Sequence, residues 1–91
     1  MASLPEFEWD AGKNIVNVRK HGIDFADAVH VFSDPASISF ASKIRSEEAR
    51  RLIVGKVSGI FMTVVYTVRG ERIRIISARH SRIAERKRYG E

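Results

Sequence analysis

Polar and apolar positions change period twice along the chain. Phe7-Glu8-Trp9 suggests a short opening strand. Asp10 then stands where a helix N-cap belongs, and Ala11, Ile15 and Val18 recur at helical spacing, predicting a helix over 11–21. Gly22 is the expected C-terminal stop. Asp24 caps a second helix over 25–33, whose Phe25, Ala28, Val29 and Phe32 form a core-facing stripe. Asp34-Pro35 ends it.

From Ala36 the period falls to two. Ile38 and Phe40 alternate with serines, Arg45 to Glu48 make a polar connection, and Arg50–Val57 and Ile60–Arg69 are β-branched and apolar. Ser58-Gly59 reads as a two-residue hairpin, and Arg69-Gly70-Glu71 as a second tight turn. Arg72 to Ser77 forms the last strand, with Arg72 and Arg74 alternating against Ile73 and Ile75. Ser81 to Tyr89 is helix-permissive and basic, with Ile83, Ala84 and Tyr89 as its apolar members, so weak docking is expected. The order predicts an α+β fold: two N-terminal helices packed on an antiparallel meander, with a C-terminal helix. At 91 residues, residues 1–91 read as a single domain, too small to enclose a large cavity. A site should be an open groove.

Charge sharpens this picture. Residues 1–42 carry three bases against six acids, a net −3, and residues 43–91 carry thirteen bases against five acids, a net +8. Eleven of the 16 basic residues are arginines, whose forks suit phosphate oxygens. A polyanionic partner is the expectation, and a solvated face that only aids solubility is the plain alternative. There are no cysteines for a disulfide or thiolate metal site. No apolar run approaches a membrane span, and the N-terminus lacks the pattern of a signal peptide. The cytoplasm is the expected compartment.

His21, His30 and His80 lack metal-ligand spacing, and no phosphate loop or acyl-transfer motif is present, so no metal and no cofactor are expected. The remaining residues suit RNA cleavage without a metal. The 2′-OH attacks its own phosphate, which requires proton carriers and cations around the phosphorane. Candidates are Lys20-His21 at a helix end, Arg69 at a strand end and Arg79-His80 after the last strand. Helix-end charge, a turn-flanking arginine and a surface histidine are the ordinary alternatives. An unbroken strand would put Arg79 on the apolar side with Ile73 and Ile75, so it must pair, snorkel or line a site. His30 and Trp9 read as packing residues.

Phe7-Glu8-Trp9-Asp10, Lys13-Asn14, Asn17, the string Lys20-His21-Gly22-Ile23-Asp24-Phe25, Glu48 with Arg50, Gly55, and Arg74-Ile75-Ile76-Ser77-Ala78-Arg79 occur in the order seen in the BrnT toxins. The chain resembles that family over nearly its whole length. The resemblance implies a RelE-like ribonuclease fold and a type II toxin that cleaves RNA and halts translation. It also implies a BrnA-like antitoxin with a ribbon-helix-helix part, through which alone DNA is contacted. It places function on Lys20, His21, Arg69 and Arg79. Family members often carry a basic residue and then alanine after the last of these, where this chain has His80-Ser81. Arg72, Arg74, His80, Arg82 and Arg86 are the expected RNA-binding residues. A non-catalytic RNA, DNA or ribosome binder, or a subunit that only docks an acidic chain, would share the same charge pattern.

Overall fold

Asp10 caps the first helix as expected, its carboxylate accepting from the Lys13 N–H at 2.8 Å. This helix, α1, spans Ala11–His21 in a computed structural model that describes residues 5–43 and 48–89. Gly22 ends it in the left-handed region at φ 71°. Asp24 caps α2, Phe25–Ala28, which tightens into a 3₁₀ segment over Val29–Ser33. The expected single helix over 25–33 is therefore helical throughout but changes pitch. Phe25, Ala28 and Val31 are fully buried, a three-residue period, whereas Val29 and Phe32 are only partly buried. The tight turn lies against β3, where Gly55 leaves room: a Cβ there would stand 3.0 Å from Val31 Cγ1 and 3.2 Å from its carbonyl oxygen.

The strands are β1 (Glu6–Glu8), β2 (Ile38–Ala41), β3 (Arg51–Val57), β4 (Ile60–Arg69) and β5 (Arg72–His80), and α3 covers Ile83–Arg88. They form one sheet in the order β1-β5-β4-β3-β2. Strands β2 to β5 are the expected antiparallel meander. β1 departs from it: Glu6, Phe7 and Glu8 pair in parallel with Arg72, Ile73 and Arg74, making the sheet mixed. α1 and α2 intervene between β1 and β2, so the opening strand is free to enter at the far edge beside β5. Ser58 and Gly59 both take positive φ, as a type I′ hairpin turn requires. The expected connection at Arg45–Glu48 lies, apart from Glu48, outside the described residues.

Two features of β5 and α1 depart from the periodic reading. The β4–β5 register shifts between Val65 and Tyr66, so Ile76 is an extra, bulged residue. Ala78 instead of Arg79 therefore joins Ile73 and Ile75 on the core face. Arg79 moves to the opposite face, correcting the unbroken-strand expectation. In α1, Ile15, Val16 and Val18 are 55%, 60% and 41% exposed, while Asn17 is buried. The helix does not cover an apolar surface with the expected Ala11–Ile15–Val18 stripe. It runs along the part of the β5 edge that three-residue β1 leaves unpaired, and there the demand is for hydrogen bonds. Asn17 meets it: Nδ2 donates to the Ala78 and Ile23 carbonyls at 2.9 Å each, and Oδ1 accepts from the Ala78 N–H at 3.1 Å.

Candidate nucleic-acid groove

The bulge decides which residues share the face of the sheet away from α2. Register places Thr63 beside Arg79, Val65 beside Ser77, Thr67 beside Arg74 and Arg69 beside Arg72. One end of this face is covered by α3. Arg79 Nη1 and Nη2 donate to the two Glu85 carboxylate oxygens at 2.7 and 2.8 Å, and Thr63 Oγ1 donates to the same carboxylate at 3.1 Å. Glu85 also accepts from the Arg82 N–H at 2.8 Å, closing the first turn of the helix. Burial pushes the Glu85 pKa up, but Arg79, the Arg82 N–H and Thr63 outweigh it and hold the group at about 2. Tyr89 completes the cover by stacking edge-on against Phe61 at 5.1 Å and donating to Asp34 at 2.5 Å. The weak docking expected of the basic helix is thus replaced by a polar clasp, with Ile83 left exposed.

The uncovered remainder of the face is bordered by α1. One hollow is lined by Lys13, Val16, Lys20 and His21 from α1 and by Ile76 and Ser77 from β5. A second is lined by Lys13, Glu48, Arg50, Thr67, Arg69, Arg74 and Ile76. Lys13 and Ile76 belong to both, so the two are halves of one groove. The bulged Ile76 is its floor, and Lys13 and Lys20, two helical turns apart, are its rim.

The groove unites some of the expected site residues and separates others. Lys20 and His21 sit together at the Ser77 end. Arg69 and Arg74 sit together at the opposite end. From Ser77 to Arg72 is roughly 16 Å at 3.3 Å per residue, so these groups are strung along the groove and do not converge on one atom. Arg79 lies on the same face, two residues beyond Ser77; it and His80 belong to β5, which runs on past the expected end at Ser77 because β4 is long enough to pair with it. Its pair with Glu85 leaves side-chain exposures of 18% and 12%. Arg72 is exposed at the start of β5, in a solvated pair with Glu6 of β1 at 3.2 Å. His80 pairs in register with Met62 and is exposed at the strand end. Arg82 is the N-cap of α3 and Arg86 lies within it, 5.8 Å over the Phe61 ring, away from the groove.

Most strand arginines carry a carboxylate. Arg74 Nη1 donates to Glu8 at 2.9 Å, and Arg69 holds Glu48 through two guanidinium nitrogens. Their mutual hydrogen bond lowers the Glu48 pKa and raises that of Arg69. Lys13 and Arg50 form no ion pair among the described residues. Neither was among the candidates drawn from the sequence. Lys13 could have been found from its seven-residue spacing to Lys20 on one helical face. Arg50 had only its place in the family pattern to mark it.

A small α+β protein with an open, cation-lined groove across one sheet face, and a histidine at one end of it, is of the class that handles phosphodiester chains. The chain matches the family described as "Ribonuclease toxin, BrnT, of type II toxin-antitoxin system" over residues 9–85 and belongs to that family. A search of curated proteins found no match. Among the described residues, no helix is long and apolar enough to cross a membrane.

Proposed function

We propose that this chain is an endoribonuclease whose whole length acts as one RelE-like toxin domain in the cytoplasm, cleaving RNA and so stopping translation. The observation that carries the reading is the continuity of the groove from Lys20–His21 to Arg69–Arg74 through Lys13 and Ile76. A single strand of RNA laid along it meets cations at both ends and a proton carrier at one.

The scissile phosphate sits at the Ser77 end in this proposal. His21 exchanges a proton with the reacting oxygens, and Lys20 beside it neutralises charge on the phosphorane. Arg79 approaches from the other side. A guanidinium has five N–H donors and Glu85 takes two, so three remain for a phosphate. Arg69, Arg74 and Arg72 hold the flanking backbone, and His80, Arg82 and Arg86 extend the basic surface beyond α3. The nucleophile is the RNA's own 2′-OH, so cleavage needs no metal. Products then end in a cyclic phosphate and begin with a 5′-OH. The antitoxin is of the BrnA kind and neutralises the toxin, with DNA contacted only through it.

Incubating the purified chain with RNA in the presence of a metal chelator tests this. Fragments with 5′-OH ends are expected, with and without ribosomes. RNA left intact in both settings defeats the reading. One feature favours a second reading, a module that binds RNA or the ribosome without cutting. His21 is the one histidine lining the groove, whereas the cleavage chemistry uses both a base and an acid. Tight binding without any new 5′ ends is the outcome that selects it.

A further inference from the structure

The groove holds a buried donor that no described residue accepts from. Arg50 Nε is buried and has no hydrogen-bond partner among the described residues. Native proteins satisfy nearly all such donors, and an exception calls for an acceptor from outside the chain, a water or a ligand. The position is built, not incidental. Arg51 pairs with Tyr66, so Arg50 comes alongside Thr67, the next residue of β4. Thr67 is buried, and its hydroxyl donates to the Ala49 carbonyl at 2.9 Å, tying the backbone just before Arg50 to the sheet. Around it, Arg69 is occupied by Glu48 and Arg74 by Glu8. Their charges are largely cancelled where they stand. Lys13, on α1 across the same hollow, is the second cation there without an ion pair among the described residues.

We infer that Arg50 and Lys13 form a dedicated seat for a non-scissile phosphate of the bound strand, away from the Lys20–His21 end. This rests on the RNA reading above for its ligand, though the seat itself is argued from the orphaned donor and the surplus charge. An anion there would accept from an Nη of Arg50, and from Nε as well once the side chain turns it toward the groove, the bidentate geometry that suits a phosphate oxygen pair. Lys13 would add a point charge from the facing wall. The paired arginines beside it set the depth of the seat without competing for the anion.

The seat is tested in two arms. The first uses inorganic pyrophosphate and nitrogen-15 spectra of the arginine Nε–H groups. The Arg50 signal should shift on titration while that of solvent-exposed Arg72 barely moves, and Lys13→Ala should weaken the response. No shift at Arg50, equal shifts at every arginine, or a response to a glutamate-rich peptide but not to pyrophosphate would overturn the seat. The second arm uses RNA, with folding of each variant checked by its urea midpoint. Arg50→Ala should weaken binding of a 2′-O-methyl oligonucleotide roughly 10- to 150-fold, the loss expected for one charge-assisted contact. It should also reduce the salt slope by about 0.7. Arg50→Lys should recover the slope but only part of the affinity. In cleavage the loss should appear in KM more than in kcat. A folded Arg50→Ala variant that binds as tightly as the parent refutes the inference. If the parent neither binds nor cuts RNA, the ribonuclease reading fails, and the pyrophosphate arm still decides the seat.

Discussion

Arg79 and Glu85 meet through two parallel hydrogen bonds of 2.7 and 2.8 Å, six residues apart in sequence but joining the end of β5 to the only buried residue within α3. This pair fastens the C-terminal helix over Thr63 and fixes the orientation of a groove-face arginine. It is largely shielded from water, so its partners depend on each other more than a surface pair would.

Glu85→Ala should therefore destabilise the fold by about 2–3 kcal/mol, since Arg79 loses its counter-ion and Thr63 and the Arg82 N–H lose an acceptor. Glu85→Gln should cost less, because the amide oxygen can still accept. Urea unfolding of both, with Arg79→Ala and the double variant, gives the coupling directly. A coupling near zero would show that the clasp contributes little.

The same carboxylate sets an acid limit. Its pKa is about 2 in the folded chain against an ordinary value of 4.5. The folded state thus binds its proton less readily than the unfolded state. The stabilisation is complete above about pH 4.5 and is lost as pH falls toward 2, amounting to ~2 kcal/mol after allowance for solvent screening. Asp34 contributes in the same direction, its pKa lowered by the Tyr89 hydroxyl first and the Lys56 N–H second. Stability measured from pH 6 to pH 2 should fall more steeply for the parent than for Glu85→Gln. Parallel curves would contradict this.

Asn17 should be as sensitive as an apolar core residue. Asn17→Ala removes three hydrogen bonds and leaves the Ala78 N–H buried without an acceptor, a loss of about 2–3 kcal/mol. Amide exchange at Ala78 should accelerate, and α1 should loosen from β5. Asn17→Asp should be no better, because it places a carboxylate against two carbonyl oxygens. Unchanged exchange at Ala78 would mean that α1 is held by other contacts.

His21→Ala should separate activity from stability. His21 ends α1 and its ring makes no hydrogen bond among the described residues, so the variant should lose no more than about 1 kcal/mol, the upper range for a helix-end charge. RNA cleavage and growth arrest should fall at least 10-fold by the scale of one charge-assisted contact. Full toxicity at equal expression would remove His21 from the proposed mechanism.

The sequence was a good guide wherever a signal is local. Asp10, Gly22 and Asp24 mark helix boundaries through contacts within a few residues, and Ser58-Gly59 and Gly70 specify turns through their own backbone angles. The antiparallel pairing of β3 with β4 and of β4 with β5 follows from those turns. Lys20–His21 and Arg69 were legible as element-end cations, and the structure puts both in one groove. Their separation along it was not legible, since it depends on how far α1 extends along β5.

What only the tertiary structure decided has one common cause: a residue's surroundings can come from distant parts of the chain. Asn17 looks like a surface residue beside Ile15 and Val18, yet it is buried because β1 is too short to cover the β5 edge, an edge created 61 residues away at Ala78. Arg79 looks like a core-side residue by period two, yet it reaches the open face because Ile76 bulges against Val65 and Tyr66. Arg50 carries no local signal, and becomes notable only when Glu48 and Glu8 neutralise its neighbours and its Nε finds no acceptor among the described residues. The sequence by itself determined the order of the elements, the tight turns at Ser58-Gly59 and Gly70, and the basic character of the second half. Phase, edge and counter-charge were decided by packing, because a strand's side chains change face with a single inserted residue and a cation's availability depends on which carboxylate folds against it.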